Sequence, residues 1–259
     1  MTTVRTDFCS QIPIFTKTAF GATGLSTATA FFYRRNESMY LVSNWHVLSG
    51  RNAQTLEPLD KNCGIPDRVE CYALKASDFI ERVWHSFPLL DDGGNPRWLH
   101  HPSLQNQVDV AVLPVEIPAS LRTCAMNDLA EAEMTLRVSH DVFVLGYPLG
   151  IQDVVGLPIW KRASVASEPG TSAPSFLVDT ATRQGMSGSP VILRYRGFHK
   201  SDPTTPAVSA EDWFGEGDMF VGVYSGRLLG ASELEAQLGI VWKSRVIDEI
   251  IDGGSRAEI

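Results

Sequence analysis

The apolar positions along this chain fall in short runs, most of which alternate with small or polar residues. Gly, Pro, Asn and Asp bound the runs, as turn residues bound the strands of an all-β protein. Alternation of this kind is typical of strands that bury one face and expose the other. The clearest predicted strands are Thr27–Tyr33, Met39–Trp45, Val108–Val115, Asp141–Tyr147, Ser175–Thr180, Pro190–Tyr195, Met219–Tyr224 and Gly239–Lys243. The pattern therefore predicts an all-β fold.

Two segments depart from this pattern. Residues 196–217 are rich in Gly, Ser, Pro, Asp and Thr, which predicts a long surface loop. Near the carboxyl end, Val246, Ile247, Ile250 and Ile251 recur at helical spacing before two glycines end the pattern. The sequence therefore predicts one amphipathic helix after the strands.

Charge and composition restrict the partners of the chain. Its 259 residues carry a net charge of −8, which argues against duplex nucleic acid or an anionic membrane as the main partner. No stretch approaches the roughly 18 apolar residues of a membrane span, and no secretory signal is visible. We therefore expect a cytoplasmic protein. Its 4 cysteines form no CxxC pair, so we expect free thiols and neither metal nor cofactor.

Three local patterns carry residues with catalytic chemistry. A predicted strand leads to His46, Asp109 starts an apolar strand, and Ser187 lies between Gly185 and Gly188 in a turn. Each has a structural interpretation when taken alone. Together they are more specific, because a serine hydroxyl becomes nucleophilic when a histidine takes its proton. An acid then fixes the imidazole tautomer, and glycines allow backbone N–H groups to face a developing oxyanion.

The order of these residues separates the classes of serine hydrolase. His46, Asp109 and Ser187 follow the chymotrypsin order. An α/β-hydrolase needs serine, then acid, then histidine, but only His199 follows Ser187 and no acid lies between them. Ser189 also occupies the second glycine position of the G-x-S-x-G elbow.

The same motifs resemble those of the trypsin-like peptidase family, especially its bacterial intracellular members and the HtrA protease domain. Asn44-Trp-His46-Val is similar to the histidine motif of the family, Asp109-Val-Ala-Val-Leu-Pro to its acid motif and Gly185-Met-Ser187-Gly-Ser-Pro to its nucleophile motif. The resemblance covers roughly residues 19–251, nearly the whole chain.

This resemblance implies two six-stranded antiparallel β-barrels followed by a C-terminal α-helix. The first lobe, expected at residues 1–125, would carry His46 and Asp109. The second, expected at residues 126–259, would carry Ser187. The backbone N–H groups of Gly185 and Ser187 would form the oxyanion hole.

The resemblance also implies where the residue on the acyl side of the cut would bind. The floor of that pocket is expected six residues before the nucleophile, at Ala181. The expected substrate-binding residues of this acyl-side pocket are Ala181, Thr182, Tyr224, Ser225, Gly226, Arg227 and Gly239. None is a carboxylate, so a neutral side chain is favoured over Lys or Arg. Thr182 and Arg227 leave an acidic or amide side chain as an alternative.

One departure from the family concerns activation. Secreted trypsins place an aspartate before the nucleophile, where it receives a newly cut amino terminus, whereas this chain has Met186. We therefore expect that no amino-terminal processing is needed. A gate, if present, would be a rearrangement of residues 182–186 by a regulatory protein partner or ligand.

The sequence thus predicts a serine endopeptidase that acts on protein or peptide substrates. The alternative from another class is a catalytically silent binding or scaffold protein with the same fold. Degenerate members of that kind lose a catalytic residue, and none is lost here. Esterase activity remains open, because it uses the same acyl-transfer chemistry.

Overall fold

Two six-stranded antiparallel sheets form the body of the molecule. The computed structural model describes residues 7–78, 81–130, 134–200, 204–227 and 237–257. The first sheet contains β1 (Ile14–Phe20), β2 (Thr23–Arg35), β3 (Ser38–Ser43), β4 (Arg68–Leu74), β5 (Arg82–Pro88) and β6 (Ala111–Val115). The second sheet contains β7 (Asp141–Gly146), β8 (Ile159–Val165), β9 (Ser175–Asp179), β10 (Pro190–His199), β11 (Trp213–Arg227) and β12 (Leu238–Lys243). The predicted all-β class is confirmed.

The two sheets close differently. The second is a closed barrel in the order β10-β11-β12-β9-β8-β7. The first has the order β5-β4-β1-β2-β3-β6, and its edge strands are not paired with each other in the described residues. Leu99, in the long β5–β6 connection, instead exchanges both backbone hydrogen bonds with Val112 of β6, at N···O distances of 2.8 and 3.0 Å. In a closed barrel, a ladder of backbone hydrogen bonds would join β5 to β6. Here a single β-bridge, between Leu99 and Val112, covers the edge of β6.

Two α-helices occur in the described residues, α1 (Trp45–Ser49) and α2 (Arg245–Gly253). The predicted terminal helix is confirmed by α2, whose Val246, Ile247 and Ile250 are fully buried. They join an apolar cluster that also contains Phe31 of β2 and Phe220 of β11. Burying one such aliphatic side chain contributes about 1.5–3 kcal/mol. This cluster therefore holds the two sheets together. Neither described helix is long and apolar enough to cross a membrane.

The long loop predicted at residues 196–217 is wrong at both ends, because residues 196–199 and 213–217 belong to strands β10 and β11. β10 and β11 form a continuous ribbon in which pairing extends to His199 and Trp213. Arg194 lies opposite Asp218, and Arg196 opposite Glu216. Opposite charges that face each other across two strands stabilise the pairing. The connection between the strands is correspondingly shorter, and residues 201–203 within it lie outside the described part of the chain.

Candidate active site

His46 is placed by the short helix α1, which follows β3 directly. The predicted strand Met39–Trp45 ends at Ser43, because Trp45 begins the helix. Trp45 is buried and its ring packs edge-on against Trp98, with ring centroids 6.1 Å apart. The helix ends at Gly50 in the left-handed region (φ +66°), where a Cβ would collide with a proline ring. These constraints fix the helix and leave the His46 side chain half-buried.

Asp109 is held by donors from both sheets. Its Oδ2 lies 2.7 Å from Nδ1 of His46, and its Oδ1 accepts from the His46 backbone N–H at 2.9 Å. The Ser225 hydroxyl, on β11, donates to the same Oδ2. The Asn44 side-chain amide donates to the Asp109 carbonyl at 2.6 Å. The carboxylate is thus oriented to accept the Nδ1 proton of His46 and to leave Nε2 as the base.

The electrostatics of the pair favour a charged imidazole. Burial lowers the pKa of His46, but the charge of Asp109 and its hydrogen bond outweigh burial and raise the pKa above its ordinary value. A histidine stabilised as an imidazolium is a stronger proton acceptor than one in water. The arrangement is therefore suited to removing a proton from a neighbouring hydroxyl.

Ser187 lies in the nucleophile turn, residues 184–190, which connects to the start of β10. Gly185 and Gly188 have φ values of +93° and +80°. A Cβ at Gly188 would collide with a backbone carbonyl of β2, so only glycine lets the turn approach the first sheet. The Ser187 hydroxyl lies 3.4 Å from the carbonyl of Ser225, the residue that also bonds to Asp109. The structure therefore brings the three predicted catalytic residues to one place.

The same turn presents backbone donors. Within the described residues, the N–H groups of Gly185 and Ser187 have no protein acceptor. Both residues line a cavity of about 580 Å³ together with His46. Unpaired backbone N–H groups beside a nucleophile are what an oxyanion hole requires, so Gly185 and Ser187 remain the candidates for that role.

Comparison with known proteins agrees with this geometry. The family profile described as "Trypsin-like peptidase domain" matches residues 28–197, more than half of the 259 residues. The matched span contains all three predicted catalytic residues. The chain belongs to the trypsin-like peptidase family.

Solved structures of other proteins are similar to this chain at low sequence identity. A serine endoprotease from Yersinia pestis is 10% identical, with a TM-score of 0.51 over 96% of this chain and 67% of that chain. The active form of the Rv3671c protease from M. tuberculosis is 16% identical, with a TM-score of 0.48 over 96% and 83% of the two chains. Its inactive form is also 16% identical, with a TM-score of 0.49 over 94% and 89%. No sequence among the curated proteins matches the chain.

In this trypsin-like peptidase, the first sheet also holds the nucleophile turn through Thr29, which the sequence interpretation missed. The Thr29 hydroxyl donates to the carbonyl of Gly185 at 2.8 Å and accepts from the N–H of Tyr147 at 3.2 Å. Its backbone N–H donates to the carbonyl of Ser187 at 2.8 Å. The side chain is fully buried. A polar residue between the apolar positions of a predicted strand was the signal that could have identified it.

Met186 fixes the turn from the opposite side. Its side chain is fully buried in the apolar core of the closed barrel, with Val144, Val191 and Val241 among its neighbours in that cluster. An apolar contact thus occupies the position before the nucleophile. The turn is held without an ion pair at this residue.

The residues expected in the acyl-side pocket have different surroundings. Ala181 is exposed, whereas Thr182 and Tyr224 are buried and their hydroxyls are hydrogen-bonded to each other. A Cβ at Gly239 would collide with the Tyr224 ring. Ser225 is buried, with its hydroxyl on Asp109, and Gly226 and Arg227 are half-buried.

The cavity that contains His46 extends away from these residues. Besides the catalytic groups it is lined by side chains of the β1–β2 hairpin and of the loop after α1, including Leu25, Thr27, Leu59 and Lys61. No group of His, Cys, Asp and Glu within the described residues has the makeup of a metal site.

Proposed function

We propose that this serine peptidase is an endopeptidase that cleaves protein or peptide substrates after a neutral residue, through an acyl-enzyme. The observation that carries the proposal is the hydrogen-bonded set of His46, Asp109 and Ser225, which ends beside the Ser187 hydroxyl. In a binding protein nothing would require a buried carboxylate to orient a half-exposed imidazole beside a serine. The family match supports the same chemistry.

Each step of the proposed reaction is assigned to one of these residues. His46 takes the Ser187 proton as the hydroxyl oxygen attacks the peptide carbonyl, and Asp109 stabilises the resulting imidazolium. The N–H groups of Gly185 and Ser187 bind the oxyanion of the tetrahedral intermediate. His46 then protonates the leaving amine, which leaves an ester on Ser187. Water attacks this ester with His46 again as the base, and the acid product and free serine are released.

The thiols support the proposed cytoplasmic location. All 4 cysteines are free, and only Cys63 is exposed. Burial raises the pKa of the Cys71 thiol, which makes it a poor nucleophile. Cysteines that form no disulfide suit a reducing compartment. Thiol titration of denatured protein purified under non-reducing conditions should find all four, whereas two or none would contradict this location.

A fluorophosphonate probe tests the assignment of the nucleophile. We expect covalent labelling and peptide hydrolysis by the wild-type protein and neither by Ser187→Ala. Ser189→Ala is the matched control, because Ser189 lies in the same turn and its buried hydroxyl has no partner in the described residues. This control should be labelled normally.

The result also separates the alternative functions. A folded wild-type protein that is not labelled would contradict the proposal and support a silent binding or scaffold protein. Labelling with hydrolysis of esters but not of peptides would support an esterase. Labelling that persists in Ser187→Ala would show that another residue is the nucleophile.

A further inference from the structure

Tyr224 occupies the space beside the segment that precedes the nucleophile. It lies on β11 next to Ser225, whose carbonyl is 3.4 Å from the Ser187 hydroxyl. Only 1% of the tyrosine is exposed. Its backbone makes two hydrogen bonds to the nucleophile turn. The Gly188 N–H donates to the Tyr224 carbonyl at 2.9 Å, and the Tyr224 N–H donates to the Ser189 carbonyl at 2.8 Å. The position of the ring relative to Ser187 is therefore fixed.

The hydroxyl end of the ring lies between Thr182 and β12. The Tyr224 hydroxyl is hydrogen-bonded to the hydroxyl of Thr182, which is itself buried. The same end of the ring lies against Gly239, where a Cβ would come within 2.4 Å of Cε2 and 3.0 Å of the hydroxyl oxygen. Thr182, Tyr224 and Gly239 are the residues expected to enclose the acyl-side pocket. The tyrosine side chain therefore fills the interior of that pocket.

We infer that Tyr224 closes the acyl-side pocket, so that the peptidase cleaves after small residues such as glycine, alanine or serine. This inference rests on the proposed function and narrows its neutral residue to a small one. A leucine or phenylalanine side chain would need the volume that the ring occupies. The ring does not leave easily, because its buried hydroxyl would lose its partner. Glu and Gln, the alternative considered from the sequence, are excluded by the same lack of volume.

The preference can be measured with quenched fluorescent peptides that differ only at the residue before the cut. We expect kcat/KM of the wild-type enzyme to be at least about tenfold higher with alanine than with leucine or phenylalanine, since pocket volume discriminates by about 10- to 200-fold. Tyr224→Ala should reverse the order and favour the larger residues by a similar factor. Tyr224→Phe is the matched control, because it keeps the ring volume and should keep the preference for small residues.

Titration with the fluorophosphonate probe should precede each measurement, so that rates refer to active sites. A wild-type enzyme that is not labelled would contradict the proposed function itself. A labelled enzyme that prefers Leu or Phe before the cut would overturn only the inference, as would a folded Tyr224→Ala variant with an unchanged order. A preference for Arg or Glu would overturn the inference and also the neutral residue of the proposed function. Tyr224→Leu offers a smaller change if the alanine variant does not fold, and the wild-type preference decides the question without any variant.

Discussion

The two lobes hold their catalytic groups by different physical means. In the first lobe, His46 and Asp109 are joined by a charged hydrogen bond of 2.7 Å at the start of a short helix. In the second, Ser187 lies in a turn that contains positive-φ glycines and is anchored by the buried side chain of Met186. The first arrangement depends on ionisation, whereas the second depends on close packing. Their sensitivities to pH and to substitution should therefore differ.

The two lobes meet at Thr29, so the proposed catalytic groups of one lobe depend on contacts with the other. A residue of the first sheet bonds to the carbonyls of Gly185 and Ser187 in the second. Ser225 makes the reverse connection, from β11 to Asp109. Each lobe thus positions a group that the other lobe supplies.

The largest expected effect comes from removing the base or the nucleophile. His46→Ala should lower kcat on the order of 10⁶-fold, and the double variant with Ser187→Ala should lose no more than either single one, because the two residues act together. Turnover of a peptide substrate by enzyme of known concentration measures this. Losses that multiply in the double variant would show that the two lobes act independently.

Asp109→Asn tests the charge in the first lobe. It should lower kcat by about 10⁴-fold, because the imidazole then presents the wrong tautomer. The wild-type pKa of His46 is raised, so kcat/KM should rise with pH through a value above about 6.5, the ordinary histidine pKa. In Asp109→Asn only the burial that lowers the pKa remains, and this limb should move to lower pH. Hydrolysis rates across the pH range measure both effects. If kcat/KM of Asp109→Asn rose over the same pH range as that of the wild type, Asp109 would not be the residue that raises the pKa of His46.

The same ionisation should appear in stability. Because the folded pKa of His46 is raised, the ion pair stabilises the protein fully below the unfolded value of about 6.5 and loses this contribution as pH rises through the folded value. Denaturant unfolding of the wild type and of Asp109→Asn at several pH values measures this contribution. The difference between their free energies of unfolding should shrink as pH rises through the folded pKa of His46.

Thr29→Val tests the contact between the lobes. A lost partner for a buried group costs about 1–3 kcal/mol, so kcat should fall about 5- to 150-fold. KM should change little, since the oxyanion donors act mainly in the transition state. Thr29→Ser should restore most of the rate. Thr16→Val is the control, because Thr16 is also fully buried and its hydroxyl has no partner in the described residues. Equal losses in both valine variants would mean a merely structural role.

The smallest effects concern Met186, which tests packing in the second lobe. Met186→Ala should lower the free energy of unfolding by about 2–5 kcal/mol, whereas Met186→Leu, of similar volume, should cost less than about 1.5 kcal/mol. Chemical denaturation measures both.

Full-length wild-type protein should be active without trimming. Activity that appears only after defined amino-terminal cleavage would contradict an apolar anchor.

Local signals in the sequence were enough for the all-β class, for most of the strands and for the choice of three candidate catalytic residues. The motifs around His46, Asp109 and Ser187 are short, and their chemistry can be interpreted without knowing what lies nearby. β5 was missed because its pattern is partly inverted: Trp84 is exposed, while Arg82 is buried and donates to the carbonyl of Pro13 at 3.3 Å. A buried arginine in a strand depends on an acceptor far away in the sequence, so the alternation of buried and exposed positions in β5 could not be predicted from local residues.

The parts of the site that sequence did not predict depend on contacts between distant segments. The role of Thr29 exists only because residues 156 positions apart come within 2.8 Å. The filling of the acyl-side pocket by Tyr224 depends likewise on the absence of a side chain at Gly239 across the barrel. Sequence spacing suggested which residues would enclose the pocket, but it could not show how much space lies among them.

Met186 also determines when in the life of the protein its activity begins. A turn anchored by a core side chain is set when that side chain is buried, and this happens during folding. If the proposed function holds, forming this turn would need no cut in the chain. The activity would then be expected from the time of synthesis, and its restraint would depend on which chains fit the cleft and on how much of the enzyme is made.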